Sequence, residues 1–305
     1  MNYMQLQNIC RMSQTDLKKY VRLKLKKRYS EVVSGDGYVF AKGTFPVLLV
    51  AHLDTVHKEL PKRIVFNGNK MSSPQGIGGD DRCGIYAILQ LMYKHDCSIL
   101  FCEDEEIGCV GTRKFIDTEL ASTLEFNYII ELDRKGKTDA VFYECDNPEF
   151  EEFITKEYFK TSYGTLSDIS YLAPELGCAA VNLSCGYYNA HTVNEYIMTD
   201  ELDKTIEQVD RLLARTTDDD KFEYIESEYG WYDWYGYGNP SKNDYSTSLY
   251  YIMYLGKDGS YKDYEIYAST VEEAVGTFLM DYPHRCFADL EVYRVDDDGV
   301  YEWMQ

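Results

Sequence analysis

The sequence lacks several features that define common classes of protein. No stretch approaches the roughly 20 apolar residues that a membrane-spanning helix needs, and the first residues contain no apolar signal-peptide core. The nine cysteines are scattered without a C-x-x-C pair, which argues against a disulfide framework and a cysteine-ligated zinc site. We therefore expect a cytoplasmic protein without a membrane partner, whose cysteines are buried free thiols.

Positive charge is also scarce. Lys and Arg number 31 against 52 Asp and Glu, which gives a formal net charge of -21 at pH 7. A surface this acidic repels nucleic acid and anionic membranes, so neither is an expected partner. Tyrosine is abundant instead, with 29 residues, many of them after residue 223. This aromatic region could pack internally, bind a sugar or peptide, or form the interface of a homo-oligomer.

Short apolar runs alternate with amphipathic stretches over the first 215 residues. Runs of this length predict strands buried on both faces of an α/β sheet, and they cover residues 47–51, 98–102, 128–132 and 179–183. The periodicity between them predicts helices over residues 13–29, 84–95, 112–120, 149–160 and 200–215. Ser13 and Asp16 resemble an N-terminal capping pair. Asn67-Gly68 predicts the type I′ turn of a hairpin.

The character of the chain changes after Arg215. We predict a main α/β domain over residues 1–215, then a linker or irregular wrap over 216–247 that is rich in Gly, Tyr and Trp. A small β-β-α-β module is predicted over 248–305. Its strands are predicted over 248–255, 261–268 and 287–295, with a helix over 271–281. A module of this size is near the lower limit for independent stability.

Histidine and carboxylate residues follow each of the four apolar runs. In chain order these residues are His52, Asp54, Glu105, Glu106, Asp133 and His191. Because ligand sites of open α/β sheets lie at the carboxyl ends of the strands, we expect these side chains to converge in space. Imidazole and carboxylate without thiolate suit a catalytic rather than a structural zinc ion. His57 is expected on the surface, near the site in sequence only.

The spacing of these residues suggests a division of roles. His52 and Asp54 point the same way from a strand end, so Asp54 can accept the other ring N–H of the histidine. Asp80 follows two glycines at a helix start and is well placed to bridge two cations. Of the adjacent Glu105 and Glu106, one can bind metal while the other acts as general base.

Five segments resemble, in family order, the motifs of the co-catalytic zinc peptidases of clan MH, which include peptidase T, aminoacylase and the zinc aminopeptidases. They are residues 51–56 (AHLDTV), 79–84 (GDDRCG), 104–108 (DEEIG), 131–133 (ELD) and 186–192 (GYYNAHT). Arg82 replaces the lysine of the family's second motif. The resemblance covers residues 47–195. It implies a three-layer α/β/α zinc-aminopeptidase-like (phosphorylase/hydrolase-like) domain with a mixed, mostly parallel sheet, and leaves the C-terminal α+β module outside it.

The same resemblance implies a set of metal ligands in residues 1–215. Two zinc ions are expected, with cobalt or manganese as alternatives. One ion would be held by His52 and Asp133 and the other by Glu106 and His191, with Asp80 between them.

The resemblance also implies roles for residues that bind no metal. Asp54 would orient the first histidine of the site. Glu105 would deprotonate the attacking water and pass the proton to the leaving amine. Further residues could contact substrate, and these are Arg82, Asp168, Tyr187 and Tyr188. Asp168 could equally cap a helix leading through Tyr171.

Two departures from the family narrow the expected activity. Only 57 residues separate Asp133 from His191, where peptidase T and the aminoacylases carry a lid or dimerisation domain. The fourth ligand is aspartate, which in this superfamily goes more often with aminopeptidases and tripeptidases. Both favour a compact aminopeptidase or di/tripeptidase acting on short peptides. Two alternatives stay open: an amidohydrolase (deacylase) of N-acyl amino acids or similar small amides, and a non-catalytic binding protein.

Overall fold

The structure is a computed structural model that describes residues 3–164, 166–227, 248–255, 261–268, 274–276, 278, 290–295 and 301–303. The chain divides into two units, Met1–Gly230 and Trp231–Gln305. The strands of the first unit are β1 (Val32–Gly35), β2 (Tyr38–Ala41), β3 (Phe45–His52), β4 (Val65–Asn67), β5 (Lys70–Ser72), β6 (Cys97–Cys102), β7 (Tyr128–Arg134), β8 (Asp139–Val141), β9 (Lys160–Ser162), β10 (Ala180–Ser184), β11 (Tyr187–Tyr188) and β12 (Tyr196–Met198). Its α-helices are α1 (Met4–Cys10), α2 (Gln14–Leu25), α3 (Gly79–Leu91), α4 (Val110–Ile116), α5 (Pro148–Thr155), α6 (Asp168–Leu176) and α7 (Thr199–Arg215).

The four predicted apolar strands are neighbours in an eight-stranded sheet of order β1-β2-β6-β3-β7-β10-β8-β9. The central strands β6, β3, β7 and β10 run parallel, whereas β2 and β8 pair antiparallel with the outer two of them. Parallel strands of this kind are covered on both faces, and their sequences are therefore continuous apolar runs. The predicted mixed, mostly parallel sheet is confirmed.

Alternate residues of the central strands face two separate cores. Leu49 and Ile130 pack on one side of the sheet with apolar residues of α1, α2, α3, α5 and α7. Leu48 and Ile129 pack on the other side with residues of α4 and α6. This alternation is the side-chain period of a strand, and it makes the unit a three-layer α/β/α domain. The predicted fold class is confirmed.

Several predicted elements are present with shifted bounds. Helix α3 begins at Gly79 rather than residue 84, but Asp80 and Asp81 have non-helical backbone angles, so the second motif lies across a kink at the start of the helix. Ser13 caps α2 as predicted and accepts a hydrogen bond from the Asp16 N–H at 3.2 Å. The predicted hairpin forms from β4 and β5, but Asn67 pairs with Lys70. Its two-residue loop is therefore Gly68-Asn69 rather than Asn67-Gly68, and only the glycine has a left-handed backbone.

Residues 222–227, which fall within the predicted linker, run along the first unit. The Phe222 N–H donates to the Asn127 carbonyl at 3.0 Å, and the Asp146 N–H donates to Ile225 at 2.8 Å. The Phe222 ring lies 5.0 Å from that of Phe153. Among the described residues, no helix is long and apolar enough to cross a membrane.

The second unit contains an antiparallel sheet of order β14-β13-β15-β16, formed by β13 (Ser248–Leu255), β14 (Tyr261–Ala268), β15 (Leu290–Val295) and β16 (Tyr301–Trp303). The first two coincide with the strands predicted for the module. The predicted helix over 271–281 and the residues just before β15 lie mostly outside the described residues. Ile252, Phe278 and Val292 belong to a core within this unit.

Candidate metal centre and active site

The five predicted ligands lie in one cluster at the carboxyl ends of the central strands. His52 ends β3, and its Nε2 lies 3.0 Å from Asp80 Oδ1 and 3.4 Å from Asp133 Oδ1. The Nε2 of His191 lies 3.2 Å from Asp80 Oδ2 and 3.0 Å from Glu106 Oε2. The Asp80 carboxylate thus lies between two histidines and presents one oxygen to each. Through the same Nε2 atom, each histidine also faces one further carboxylate, Asp133 for His52 and Glu106 for His191.

These distances fit the coordination of divalent ions. A tetrahedral ion with bonds of about 2.0 Å to nitrogen and oxygen separates its ligand atoms by roughly 3.3 Å. The ligand atoms of His52, Asp80 and Glu106 lie within 4.8 Å of one another, as do those of His52, Glu105 and Asp133. Although these two groups share His52, the Nε2 atom of that histidine contacts Asp80 and Asp133, whereas its Nδ1 faces Asp54. Glu106 Oε1 is buried without a hydrogen-bond partner in the described chain, which fits a carboxylate built to meet a cation.

Asp54 joins the first histidine to the acidic loop after β6. Its Oδ1 lies 3.2 Å from His52 Nδ1 and accepts a hydrogen bond from the Glu105 N–H at 3.0 Å. Its Oδ2 accepts from the Glu106 N–H at 3.0 Å. Burial opposes ionisation of Asp54, but His52 and these two N–H groups outweigh it and lower the pKa of the carboxyl. Asp54 therefore orients the histidine and holds the loop with the same two oxygens.

The buried Glu195, which is paired with the largely covered His57, holds the backbone that carries Asp80. Glu195 Oε2 accepts a hydrogen bond from the Gly78 N–H at 2.8 Å, and its Oε1 accepts from the Asp80 N–H at 2.9 Å. The Nε2 of His57 lies 2.6 Å from Glu195 Oε2. The expectation of a surface histidine is wrong, because the His57 side chain is only 8% exposed. Sequence reasoning missed Glu195, since no spacing signals a side chain that acts on a distant backbone.

Asp81, the other acid of the second motif, also braces the site. Its Oδ2 accepts a hydrogen bond from the His52 N–H at 3.2 Å, and its Oδ1 accepts from the Gly84 N–H at 2.9 Å. Burial and the nearby Asp133 raise the pKa of Asp81 well above its usual range. A Cβ on Gly84 would lie 2.0 Å from the Leu132 carbonyl oxygen. Glycine is therefore required there for α3 to approach β7.

Glu105 and Asp133 are carboxyls whose environment favours the protonated form. Burial raises the pKa of Glu105 well above its usual range, with Asp133 adding to the shift and His52 opposing it. Burial, followed by the charge of Asp80, raises the pKa of Asp133 to about 7. A carboxyl whose pKa is raised in this way takes up a proton at a higher pH than an ordinary carboxyl does.

A cavity of about 550 Å³ opens over the cluster. Asp80, Glu105, Glu106 and Asp133 line it on the acidic side. Its remaining lining includes both tyrosines predicted to contact substrate, Tyr187 and Tyr188, together with Tyr143, Asn182, Arg134 and Lys135. The Tyr187 hydroxyl donates to Asp133 Oδ1 at 3.2 Å, and the Tyr188 hydroxyl donates to Glu201.

Arg82 and Asp168, the other two predicted substrate contacts, do not line this cavity. Arg82 is 1% exposed, and its Nη1 donates to the carbonyls of Leu53 at 2.6 Å and Asp54 at 2.8 Å. It therefore braces the end of β3 from inside the protein. Asp168 is fully buried in the first turn of α6, and burial raises its pKa to about 6. The cap of that helix is Ser167, not Asp168.

Solved structures of peptidases share this fold. Aminopeptidase PepT from Bacillus cereus has a TM-score of 0.57 at 15% identity, over 68% of this chain and 96% of its own. A tripeptidase from Staphylococcus aureus has a TM-score of 0.57 at 13% identity, over 69% and 97%. Aminopeptidase APDkam598 from the archaeon Desulfurococcus kamchatkensis has a TM-score of 0.56 at 13% identity, over 70% and 94%. At such low identity, these likenesses show the fold. No family model and no curated protein matches the sequence.

Proposed function

We propose that this protein is a metallopeptidase with two zinc ions, acting as an aminopeptidase or di/tripeptidase on short peptides. The observation that carries the proposal is the position of Asp80, which presents separate oxygens to His52 and His191 beside a cavity that Glu105 also lines. The shared fold of aminopeptidases and a tripeptidase supports a peptidase at the level of the fold.

The ligand set is His52 and Asp133 for one ion, Glu106 and His191 for the other, and Asp80 for both. When bound, two such ions would lower the pKa of a water and polarise the substrate carbonyl. Nitrogen and carboxylate donors without thiolate suit zinc, and cobalt or manganese could occupy the same ligands.

Glu105 is the proposed general base. It takes the proton from the attacking water and then passes it to the leaving amine, a double role that its raised pKa favours. Asp54 holds the Glu105 backbone and the His52 ring at once, which fixes the position of the proposed base relative to the metal ligand. Tyr187 donates to Asp133 and so restricts the orientation of that ligand.

Activity after metal exchange tests the proposal. Protein stripped with EDTA and reloaded with zinc is assayed on di- and tripeptides with free N-termini and on their N-acetyl forms. We expect release of amino acids from the free peptides only, and a loss of about 10²- to 10⁴-fold in kcat for Glu105→Gln. Turnover of the acetylated forms alone would instead indicate a deacylase. Full activity of Glu105→Gln would contradict the role of Glu105, and reloaded protein that hydrolyses neither class would favour a binding protein.

A further inference from the structure

Two cations, Arg134 and Lys135, line the cavity directly after the ligand Asp133. They differ in what else they contact. Arg134 donates through Nη2 to the Tyr163 carbonyl at 2.6 Å, and its Nε lies 3.7 Å from Asp139 Oδ2. Arg134 is therefore held by one hydrogen bond and one ion pair, although its buried Nε makes no hydrogen bond among the described residues.

Lys135 is exposed, and no carboxylate of the described residues pairs with its ammonium group. Its own backbone is held, because the Ser184 hydroxyl donates to the Lys135 carbonyl at 2.7 Å. The lysine thus combines a positioned backbone with an available charge. Lys137, two residues further along, lies 3.6 Å from Glu201 and does not line the cavity.

The charge balance of the cavity makes this lysine distinctive. When all four are ionised, Asp80, Glu105, Glu106 and Asp133 supply four negative charges, which two divalent ions would neutralise. With the ions bound, Lys135 would remain as a local positive charge on a protein whose formal net charge is -21. A local positive charge of this kind attracts an anionic group of the substrate at short range.

We propose that Lys135 selects substrates that carry a carboxylate close to the scissile bond. This inference rests on the proposed peptidase function. Each residue of an extended peptide spans about 3.3–3.6 Å, so the C-terminal carboxylate of a di- or tripeptide lies within one or two residues of the reacting carbonyl. A long lysine stem beside the ligand Asp133 can reach that zone. An acidic side chain just after the scissile bond offers the same chemistry.

The test compares Lys135→Met with Lys137→Met, which removes the same charge from outside the cavity. The substrates are Ala-Ala against Ala-Ala-amide for the terminal carboxylate, and Ala-Glu-amide against Ala-Gln-amide for the side chain. We expect Lys135→Met to raise KM by about fivefold for one carboxylate substrate, with kcat and the matched neutral substrate unchanged. Lys135→Arg should keep most of the preference, and Lys137→Met all of it. The pair that responds identifies the source of the carboxylate.

A binding measurement keeps this inference separate from the proposed activity. Calorimetric titration with the same four peptides gives the dissociation constants of metal-loaded wild type, Lys135→Met and Lys137→Met. If the peptides are cleaved, the same three proteins are titrated with Glu105→Gln added to each. We expect the wild type to bind a carboxylate peptide about fivefold more tightly than its neutral partner, and Lys135→Met to lose that difference. Equal binding of both members of each pair by wild type, or equal effects of the two methionine variants, would overturn the proposal. Absence of hydrolysis with carboxylate preference intact would overturn only the peptidase function.

Discussion

The Glu195 carboxylate accepts a hydrogen bond from the backbone N–H of Asp80 at 2.9 Å. Glu195 is completely buried, and its other oxygen holds the Gly78 N–H. The position of the central metal ligand candidate is therefore set by a side chain that contacts no ligand atom itself. This arrangement makes metal retention sensitive to a residue outside the ligand set.

We expect Glu195→Gln to weaken metal binding by about 10- to 100-fold, because an amide supplies one acceptor oxygen where the carboxylate supplies two. Competition with a zinc-binding dye measures the affinity. Glu207→Gln removes an exposed carboxylate from α7 and is the matched control. Wild-type zinc affinity in Glu195→Gln would show that Asp80 keeps its position without this contact.

Asp54→Asn should impair both functions of that side chain. The amide nitrogen cannot accept, so one of the bonds from His52, Glu105 or Glu106 is lost. We expect kcat at saturating zinc to fall by about 10- to 100-fold, with weaker zinc binding as well. Steady-state kinetics over a zinc titration separates the two effects. Asp36→Asn, at an exposed pair with Lys114, should change neither quantity.

Metal uptake should release protons and strengthen as pH rises. In protein stripped of metal, hydrogen bonds with Asp80 and Glu106 raise the pKa of His191 to about 11. Burial opposes protonation of His52, but Asp133 and Asp54 outweigh it and raise the pKa of that ring well above its usual range. Both rings therefore carry a second proton at neutral pH, and each must lose that proton to bind metal.

Calorimetry in buffers of different ionisation enthalpy counts the protons released. We expect more than two near pH 7, one for each histidine and a fraction from Asp133, and further weakening of zinc binding below about pH 7 as Asp133 becomes fully protonated. Zinc affinity that stays constant from about pH 6 to about pH 9 would contradict this sign.

Arg82→Met should affect stability rather than substrate binding. The substitution leaves the buried carbonyls of Leu53 and Asp54 without their donor, so we expect the free energy of unfolding to fall by about 3 kcal/mol. Urea unfolding measures this loss, while KM of the folded fraction should stay near that of the wild type. Arg113→Met, an exposed position on α4, serves as control. A large rise in KM at unchanged stability would restore Arg82 as a substrate contact.

Convergence of the ligand candidates could be predicted from the sequence because it depends on few assumptions. His52 and Asp133 each follow an apolar run, and neighbouring parallel strands end at one edge of a sheet. The roles of Glu195 and His57 could not be predicted, since they depend on which backbone groups tertiary packing leaves in need of an acceptor. Arg82 was predicted to contact substrate and instead lies inside the protein. Its position within a motif does not reveal whether the side chain points into the cavity or into the protein.

The order of the central strands has a consequence for biosynthesis. His52 is synthesised early in translation, whereas His191 follows β10, which is the last of the central strands to be synthesised. A nascent chain that has not yet reached His191 cannot hold both histidines around Asp80. If the site binds two ions as proposed, loading must follow translation of most of the first unit, and until then the growing chain carries the site's carboxylates without their counter-charge.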